Sequence, residues 1–190
     1  MDVWQAMQER RSCRSFRPDP VDPKALERIL EAGTWAPSPL NTQPWQFVVV
    51  TSPEVREAVF QEAERCRAWA REESGWEWLD KYRVDFLRQA PVLVVVIGDP
   101  RKTGVDRFQK EGNVAYQHAC AAAIQNMLLA AHAMGLGGLW FTLFDRANLR
   151  GILEVEKERM PVGIVCLGHP EKAPRPIPRK AASEKTRTIG

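Results

Sequence analysis

"EGNVAYQHACAAAIQNMLLAAHAMGLGG", residues 111–138, reads as one long helix that is apolar nearly all round. Such a helix is buried, either in a core or in a subunit interface. At about 1.5 Å per residue it runs roughly 30 Å, the width of a small domain. Gly135, Gly137 and Gly138 are expected to end it. The remaining elements have to be layered around this one.

Working outward, β-branched runs bounded by turn residues stand on both sides. "WQFVVV" (45–50) and "PVLVVVIGD" (91–99) read as buried strands, "MPVGIVCLGHP" (160–170) as a last strand, and "GLWFTLF" (138–144) as a strand or extended loop. The helical period recurs between them. "DVWQAMQERRS" (2–12) spaces Val3, Ala6 and Met7 helically and is expected to end near Arg11. In "DPKALERILEAGTWAP" (22–37), Asp22 is an N-cap, Pro23 occupies the first helical position, Leu26, Ile29 and Leu30 form the stripe, and Gly33 is expected to close it. Ser52-Pro53 opens a helix carrying Val55, Val59 and Phe60, and "DRANLRGILEV" (145–155) is a short helix. Residues 66–90 are helical with a break at Gly75, and set Trp69, Trp76, Trp78, Tyr82 and Phe86 among many charges. That is either packing for a helical pair or a lid that stacks on a ligand. No glycine-rich G-x-G-x-x-G turn follows a strand. The pattern defines a layered αβ domain without repeat or linker, and 190 residues suffice for one.

Charge narrows the function. "RRSCRSFRPDP" (10–20) crowds in Arg10, Arg11, Arg14 and Arg17, and the proline-rich tail from Pro170 includes "PRPIPRKAASEKTR" (174–187). The net charge is only +3, which argues against nucleic acid, since a polyanion needs a broad basic face. Two local patches can instead meet around one anion. The tail has no apolar stripe and is expected to lie on something else. The four cysteines are far apart and the three histidines complete no metal spacing, so reduced thiols, no metal and a cytoplasmic protein are expected. His118 and His132, on the long helix, are expected to be core or interface histidines, and Cys13 a small filler. The N-terminal stretch is not a signal peptide, and no apolar run is long enough to span a bilayer.

"APSPLNTQPWQF" (36–47) sets Ser38, Asn41, Thr42 and Gln43 between prolines, just before a buried strand. Asn and Gln amides both donate and accept, which suits the edge of a heteroaromatic ring. With a phosphate site this makes a mononucleotide-like ligand; the alternative is a loop whose polar groups satisfy its own turns.

"RRSCRSF" (10–16), "APSPLNTQPWQF" (36–47), "GLGGLWFTLFD" (135–145) and "PVGIVCLGHPEK" (161–172), in that order, resemble the FMN-dependent nitroreductase family over nearly the whole chain. The resemblance implies an α+β fold, with a central, mostly antiparallel sheet flanked by helices, residues 1–190 as one domain, and an intertwined homodimer. Its tail, 171–190, would cross to the partner, and two FMN molecules would lie at the dimer interface. It implies that Arg10, Arg11, Ser12 and Arg14 are phosphate and ribityl ligands, joined by Arg179 of the tail, with Lys180 or Arg175 as alternatives. Pro37, Ser38 and Pro39 would lie against the isoalloxazine from the partner subunit, with Asn41 and Gln43 beside it. Trp140, Phe141, Thr142 and Leu143 would pass the flavin N5, with a main-chain N–H from Thr142 or Leu143 directed at it; many members have glycine there. The implied activity is ping-pong transfer of hydride from NADH or NADPH, through flavin N5, to an electron-poor small molecule such as a nitroaromatic or quinone, with no side-chain acid or base. The same fold also hosts enone reduction, reductive dehalogenation and oxygen-dependent fragmentation of FMN. A non-catalytic flavin-binding or redox-sensing protein is the other alternative.

Overall fold

Val92–Gly98 (β2) is buried at every position, as only a strand covered on both faces can be. Side chains alternate across it: Leu93, Val95 and Ile97 enter one core, and Val92, Val94 and Val96 the other. In the computed structural model, which describes residues 1–110 and 112–190, β1 (Trp45–Val50) pairs antiparallel with β2, with Val48 opposite Val95. β4 (Met160–Gly168) takes the other side of β2, with Ile164 opposite Val95. β3 (Gly137–Phe141) pairs antiparallel with β4, giving the order β1-β2-β4-β3 among the described residues. The α+β expectation with an antiparallel central sheet holds.

Helices cover both faces. α2 (Pro23–Thr34) and the long α6 (Ala115–Ala133) pack Ile29, Ile124 and Met127 on one core. On the other, α3 (Pro53–Ser74), α5 (Phe86–Gln89) and α7 (Arg146–Ile152) supply Val59, Phe60, Leu87 and Leu149. α1 (Val3–Glu9) and the four-residue α4 (Trp78–Lys81) are peripheral.

Several boundaries differ from the sequence reading, each for a local reason. α1 ends at Glu9, because Arg10 turns to φ −56°, ψ 132° and the following residues run beside the sheet. Gly33 lies inside α2; a Cβ there would meet Met127 Cε at 2.5 Å, so its role is close helix packing. Gly135, at φ 77°, does end the long helix, whereas Gly137 and Gly138 already belong to β3. Glu111, with which the sequence reading opens that helix, lies outside the described residues. α6 buries one face through Tyr116, Cys120, Ile124, Met127 and Ala131; His118 is exposed, so it is not a core histidine. α3 runs to Ser74, where Gly75 caps it at φ 69°.

The arrangement that matters for function lies at the β3 edge. Ser12 forms a parallel bridge with Gly138, and Cys13 N–H donates to Gly138 O at 3.0 Å. Arg17 N–H donates to His169 O at 2.9 Å, and Glu171 N–H to Ser15 O at 3.0 Å. The arginine-rich stretch is thereby fixed between β3 and the start of the tail.

Candidate functional site

Because the chain leaves helical geometry at Arg10, the residues that follow run extended beside β3, with Ser12 and Cys13 paired to Gly138. Burial and the like charges of Arg11 and Arg179 lower the Arg10 guanidinium from its usual value. Among the described residues, Arg10, Arg11, Arg14 and Arg179 form no ion pair with a carboxylate. Arg11 Nη1 donates to the carbonyls of Gln8 and Arg10 at 2.6 and 2.8 Å, yet its Nε is buried without a partner. Arg10, Arg11 and Arg179 thus bring like charges together with no counter-charge among the described residues, an arrangement that an anion would relieve. Arg11, Ser12 and Arg14 also line a 340 Å³ cavity with Lys172 and Arg175 of the tail. Arg175 therefore lies near Ser12 and Arg14, and the charge of Arg179 is felt at Arg10; Arg175, Arg179 and Lys180 are all exposed.

The segment Pro37–Gln43 is held in an unusual backbone. Leu40, Asn41 and Gln43 have φ of 51°, 53° and 45°, each a strained left-handed conformation costing on the order of 1–3 kcal/mol. Ser38 Oγ accepts Gln43 N–H at 3.0 Å, so this hydroxyl does serve the loop's own turn, whereas Thr42 Oγ donates to Lys102 O at 3.0 Å and ties the loop to the chain after β2. Pro44 O accepts Asp99 N–H at 2.9 Å, and buried Asp99 is bound by Arg101 and Arg159 at 3.0 Å each. Pro37 is exposed and Pro39 half-buried, while the Asn41 and Gln43 side chains project exposed from this fixed frame. Within one chain this loop does not line the cavities that hold the arginines.

Beyond β3 the chain offers free donors. Phe144 N–H donates to Thr142 O at 3.1 Å and Asp145 N–H to Glu62 Oε1 at 3.0 Å, whereas the N–H groups of Thr142 and Leu143 have no partner among the described residues. Phe141 is 3% exposed and packs edge-on against Phe86 at 5.5 Å, so its side chain belongs to the core. Trp140 lies on the surface over Gly163, where any Cβ would collide with the indole. Thr142–Asp145 and Trp69 line a 370 Å³ cavity, which brings one of the tryptophans of the 66–90 segment to the proposed N5 strand. Trp76 and Trp78 stack at 6.1 Å and Tyr82 meets Trp78 edge-on at 5.5 Å, further along the surface.

The sequence reading missed the residue that fixes this turn. Glu62 is buried on α3 and accepts Arg65 Nε and Nη2 at 2.9 and 2.8 Å, Cys66 Sγ–H at 3.1 Å, Asp145 N–H at 3.0 Å and Asn148 Nδ2 at 3.2 Å. Burial alone would raise its pKa; the donors outweigh it and hold the carboxyl at about 2. A carboxyl depressed in the fold stabilises fully above its ordinary pKa of about 4.3, and the benefit is lost as pH falls towards about 2. Glu62→Gln is expected to cost about 2–4 kcal/mol at pH 7. Urea unfolding of both proteins from pH 7 downwards checks it: the gap should close below the ordinary carboxyl range, and a gap independent of pH would refute the ionised role.

All four cysteines are buried free thiols; burial raises Cys13, pushes Cys66 up to about 11 and Cys120 to about 12. Among the described residues, no helix is long and apolar enough to cross a membrane and no cluster of His, Cys, Asp and Glu is suited to a metal.

Comparison with known proteins identifies the family and the fold. A family model described as the nitroreductase family matches residues 7–169. A 5,6-dimethylbenzimidazole synthase of Rhodospirillum rubrum is 34% identical over 175 residues, covering 90% of this chain and 82% of the relative. An NADH dehydrogenase of Thermus thermophilus is 30% identical over 210 residues, covering 94% and 92%. The fold matches that of oxidized iodotyrosine deiodinase bound to FMN and 3-iodo-L-tyrosine, with a TM-score of 0.80 at 24% identity over 95% of this chain and 96% of that one.

Proposed function

The chain belongs to the nitroreductase family, and from that premise we propose that it is an FMN-dependent oxidoreductase which moves hydride from NADH or NADPH to an electron-poor small molecule, a nitroaromatic or a quinone. The observation that carries this reading is the cluster of Arg10, Arg11 and Arg179 at the edge of β3, which has no carboxylate partner among the described residues. It fits the terminal phosphate of FMN, as the iodotyrosine deiodinase of the same fold binds FMN. When bound, the flavin supplies the hydride-accepting and hydride-donating centre at N5.

The protein's part is position and charge. Arg10, Arg11 and Arg179 hold the phosphate, and Ser12 and Arg14 the ribityl chain beside it. Asn41 and Gln43, whose amides are exposed on a rigid frame, read the ring edge; Pro37, Ser38 and Pro39 lie against the ring. Trp140, Phe141, Thr142 and Leu143 would pass the flavin N5, and a main-chain N–H of Thr142 or Leu143 would donate to it. Fixed donors and cations near the ring stabilise negative charge developing there.

The active form in this reading is a homodimer. The loop 37–43 lies outside the arginine cavities of its own chain, so the partner's copy of the loop completes each site. The 21.6 kDa chain exposes 11753 Å², against roughly 9,200 Å² for a folded monomer of that mass. The excess includes Trp4, Trp35 and Leu40. Four free thiols suit a reducing cytoplasm.

The purified protein is expected to be yellow, to release FMN and not FAD on heating, and to oxidise NADH or NADPH only when an acceptor is present. No flavin, or FAD, would sink the proposal; FMN without turnover would leave a flavin-binding protein. The 34% identity to the R. rubrum synthase favours a second reading, oxygen-dependent fragmentation of FMN. Formation of 5,6-dimethylbenzimidazole from reduced FMN in air would establish it.

A further inference from the structure

Glu62, Arg65, Cys66 and Trp69 stand at i, i+3, i+4 and i+7 on α3, along one face of the helix. That face meets the turn that follows β3: Arg65, Cys66 and Trp69 line its 370 Å³ cavity, and Glu62 bonds to Asp145. The Asp145 N–H is the one main-chain donor that Glu62 accepts among the described residues, at 3.0 Å. A second tie runs through Asn148, whose N–H donates to Asp145 Oδ1 at 2.8 Å and whose Nδ2 donates to Glu62 Oε2 at 3.2 Å. Asp145, the N-cap of α7, is thus held through both its N–H and its carboxylate. The bond from Asn148 would suffice to tie α3 to α7; the bond from Asp145 N–H ties α3 to the turn.

The other end of the turn is anchored by the sheet, where Phe141 is paired with Ile164. Only Thr142, Leu143 and Phe144 lie between the two anchors. Phe144 N–H is used within the turn, on Thr142 O at 3.1 Å. The N–H groups of Thr142 and Leu143 make no bond of their own among the described residues, so the anchors set their direction. Donors held in place before a ligand arrives cost no reorganisation when it binds. Freeing one anchor returns backbone entropy to the turn, which binding would then have to remove.

We infer that Glu62 is a positioning residue of the flavin site: by holding Asp145 N–H it fixes the far end of the turn and keeps the main-chain N–H of Thr142 or Leu143 aimed at N5. The inference rests on the assignment of one of these N–H groups to N5. It makes Glu62 act through the turn and not on the ligand.

5-Deaza-FMN separates aim from support of the fold, because it has C–H in place of N5 and accepts no hydrogen bond there. Both flavins are titrated into wild type, Glu62→Leu, Glu62→Gln and Asp145→Pro, each stripped of flavin. Leucine removes the acceptor, and glutamine keeps a carbonyl oxygen for Asp145 N–H. Proline deletes that N–H at a φ of −78°, which its ring accepts, and leaves Arg65, Cys66 and Asn148 to bond Glu62. Wild type should prefer FMN over 5-deaza-FMN about 2- to 10-fold, as for one neutral hydrogen bond. Glu62→Leu and Asp145→Pro should lose that preference, and Glu62→Gln should retain most of it. Equal weakening of both flavins, with the preference kept, would make Glu62 purely structural and overturn the inference while the N5 assignment stands. No preference in wild type, or no binding of either flavin, overturns the assignment and the inference together. Hydrogen exchange of flavin-free wild type gives a readout that needs neither flavin nor a folded variant. Asp145 N–H should exchange about 10-fold or more slowly than the N–H groups of Thr142 and Leu143. Equal rates would show an unanchored turn and overturn the inference.

Discussion

Arg10→Ala is expected to weaken FMN binding about 10- to 150-fold, the loss of one charge-assisted contact of roughly 1.5–3 kcal/mol. The same change should leave the flavin-free protein as stable as before, or slightly more so. Burial, Arg11 and Arg179 all oppose the charge on Arg10, and no carboxylate among the described residues relieves it. Deleting the guanidinium therefore removes repulsion from the empty fold and attraction from the loaded one. A residue kept for packing would behave in the opposite way, with a lower Tm and an affinity loss that follows it. Flavin titration alongside thermal unfolding of stripped protein reads both. Unchanged affinity would take Arg10 out of the site, and a lower Tm with proportional loss would make it structural. Ser12 and Cys13, bonded to Gly138, keep the backbone in place in the variant, so a negative result has no easy structural excuse.

How far the sequence reaches depends on whether the cause is local. β2 and β4 are legible because β-branched runs between turn residues leave one option. The starts of α2 and α3 are legible for the same reason: Asp22 Oδ1 does accept Lys24 N–H at 3.1 Å and Ser52 Oγ accepts Val55 N–H at 3.2 Å. The arginine cluster is visible as composition, and the family resemblance supplies its meaning. Non-local causes stay hidden. Glu62 looks like one more surface acid on a charged helix until Asp145 and Asn148 arrive from more than eighty residues away. Gly33 reads as a helix stop because glycine usually is one, and only the approach of Met127 and Phe47 gives it another purpose. Prolines announce the loop at 36–44 but not the left-handed turns at Leu40, Asn41 and Gln43. An all-apolar helix likewise hides which face is covered: His118, read as a core or interface histidine, is exposed in the single chain and so does not belong to its core.

Removing residues 171–190 is expected to abolish stable FMN retention and the dimer together. The last ties of the tail to the body of the chain are the Phe16–Pro170 bridge and the bonds between Ser15 and Glu171. Beyond Glu171, the hydrogen bonds found among the described residues join tail residues to one another, as Ala181 N–H to Glu184 and Thr186 Oγ to Ala182. Ile177 and Ile189 are exposed, so the segment has no core of its own. An exposed terminus of this kind ordinarily tolerates truncation. Here it also carries Arg175 to the cavity of Ser12 and Arg14, and brings the charge of Arg179 near enough to be felt at Arg10. If its apolar residues find their cover on a second copy of the chain, one segment both joins the subunits and closes the phosphate site. Loss of Arg175 and Arg179 together would exceed the single-residue effect of Arg10→Ala, and loss of the partner would take away its Pro37–Gln43 loop as well. Sedimentation and flavin content of the truncated protein decide between these views. A monomer without flavin fits the crossing tail, a dimer without flavin restricts the tail to the phosphate, and a fully flavinated dimer would show that Arg175 and Arg179 are not ligands.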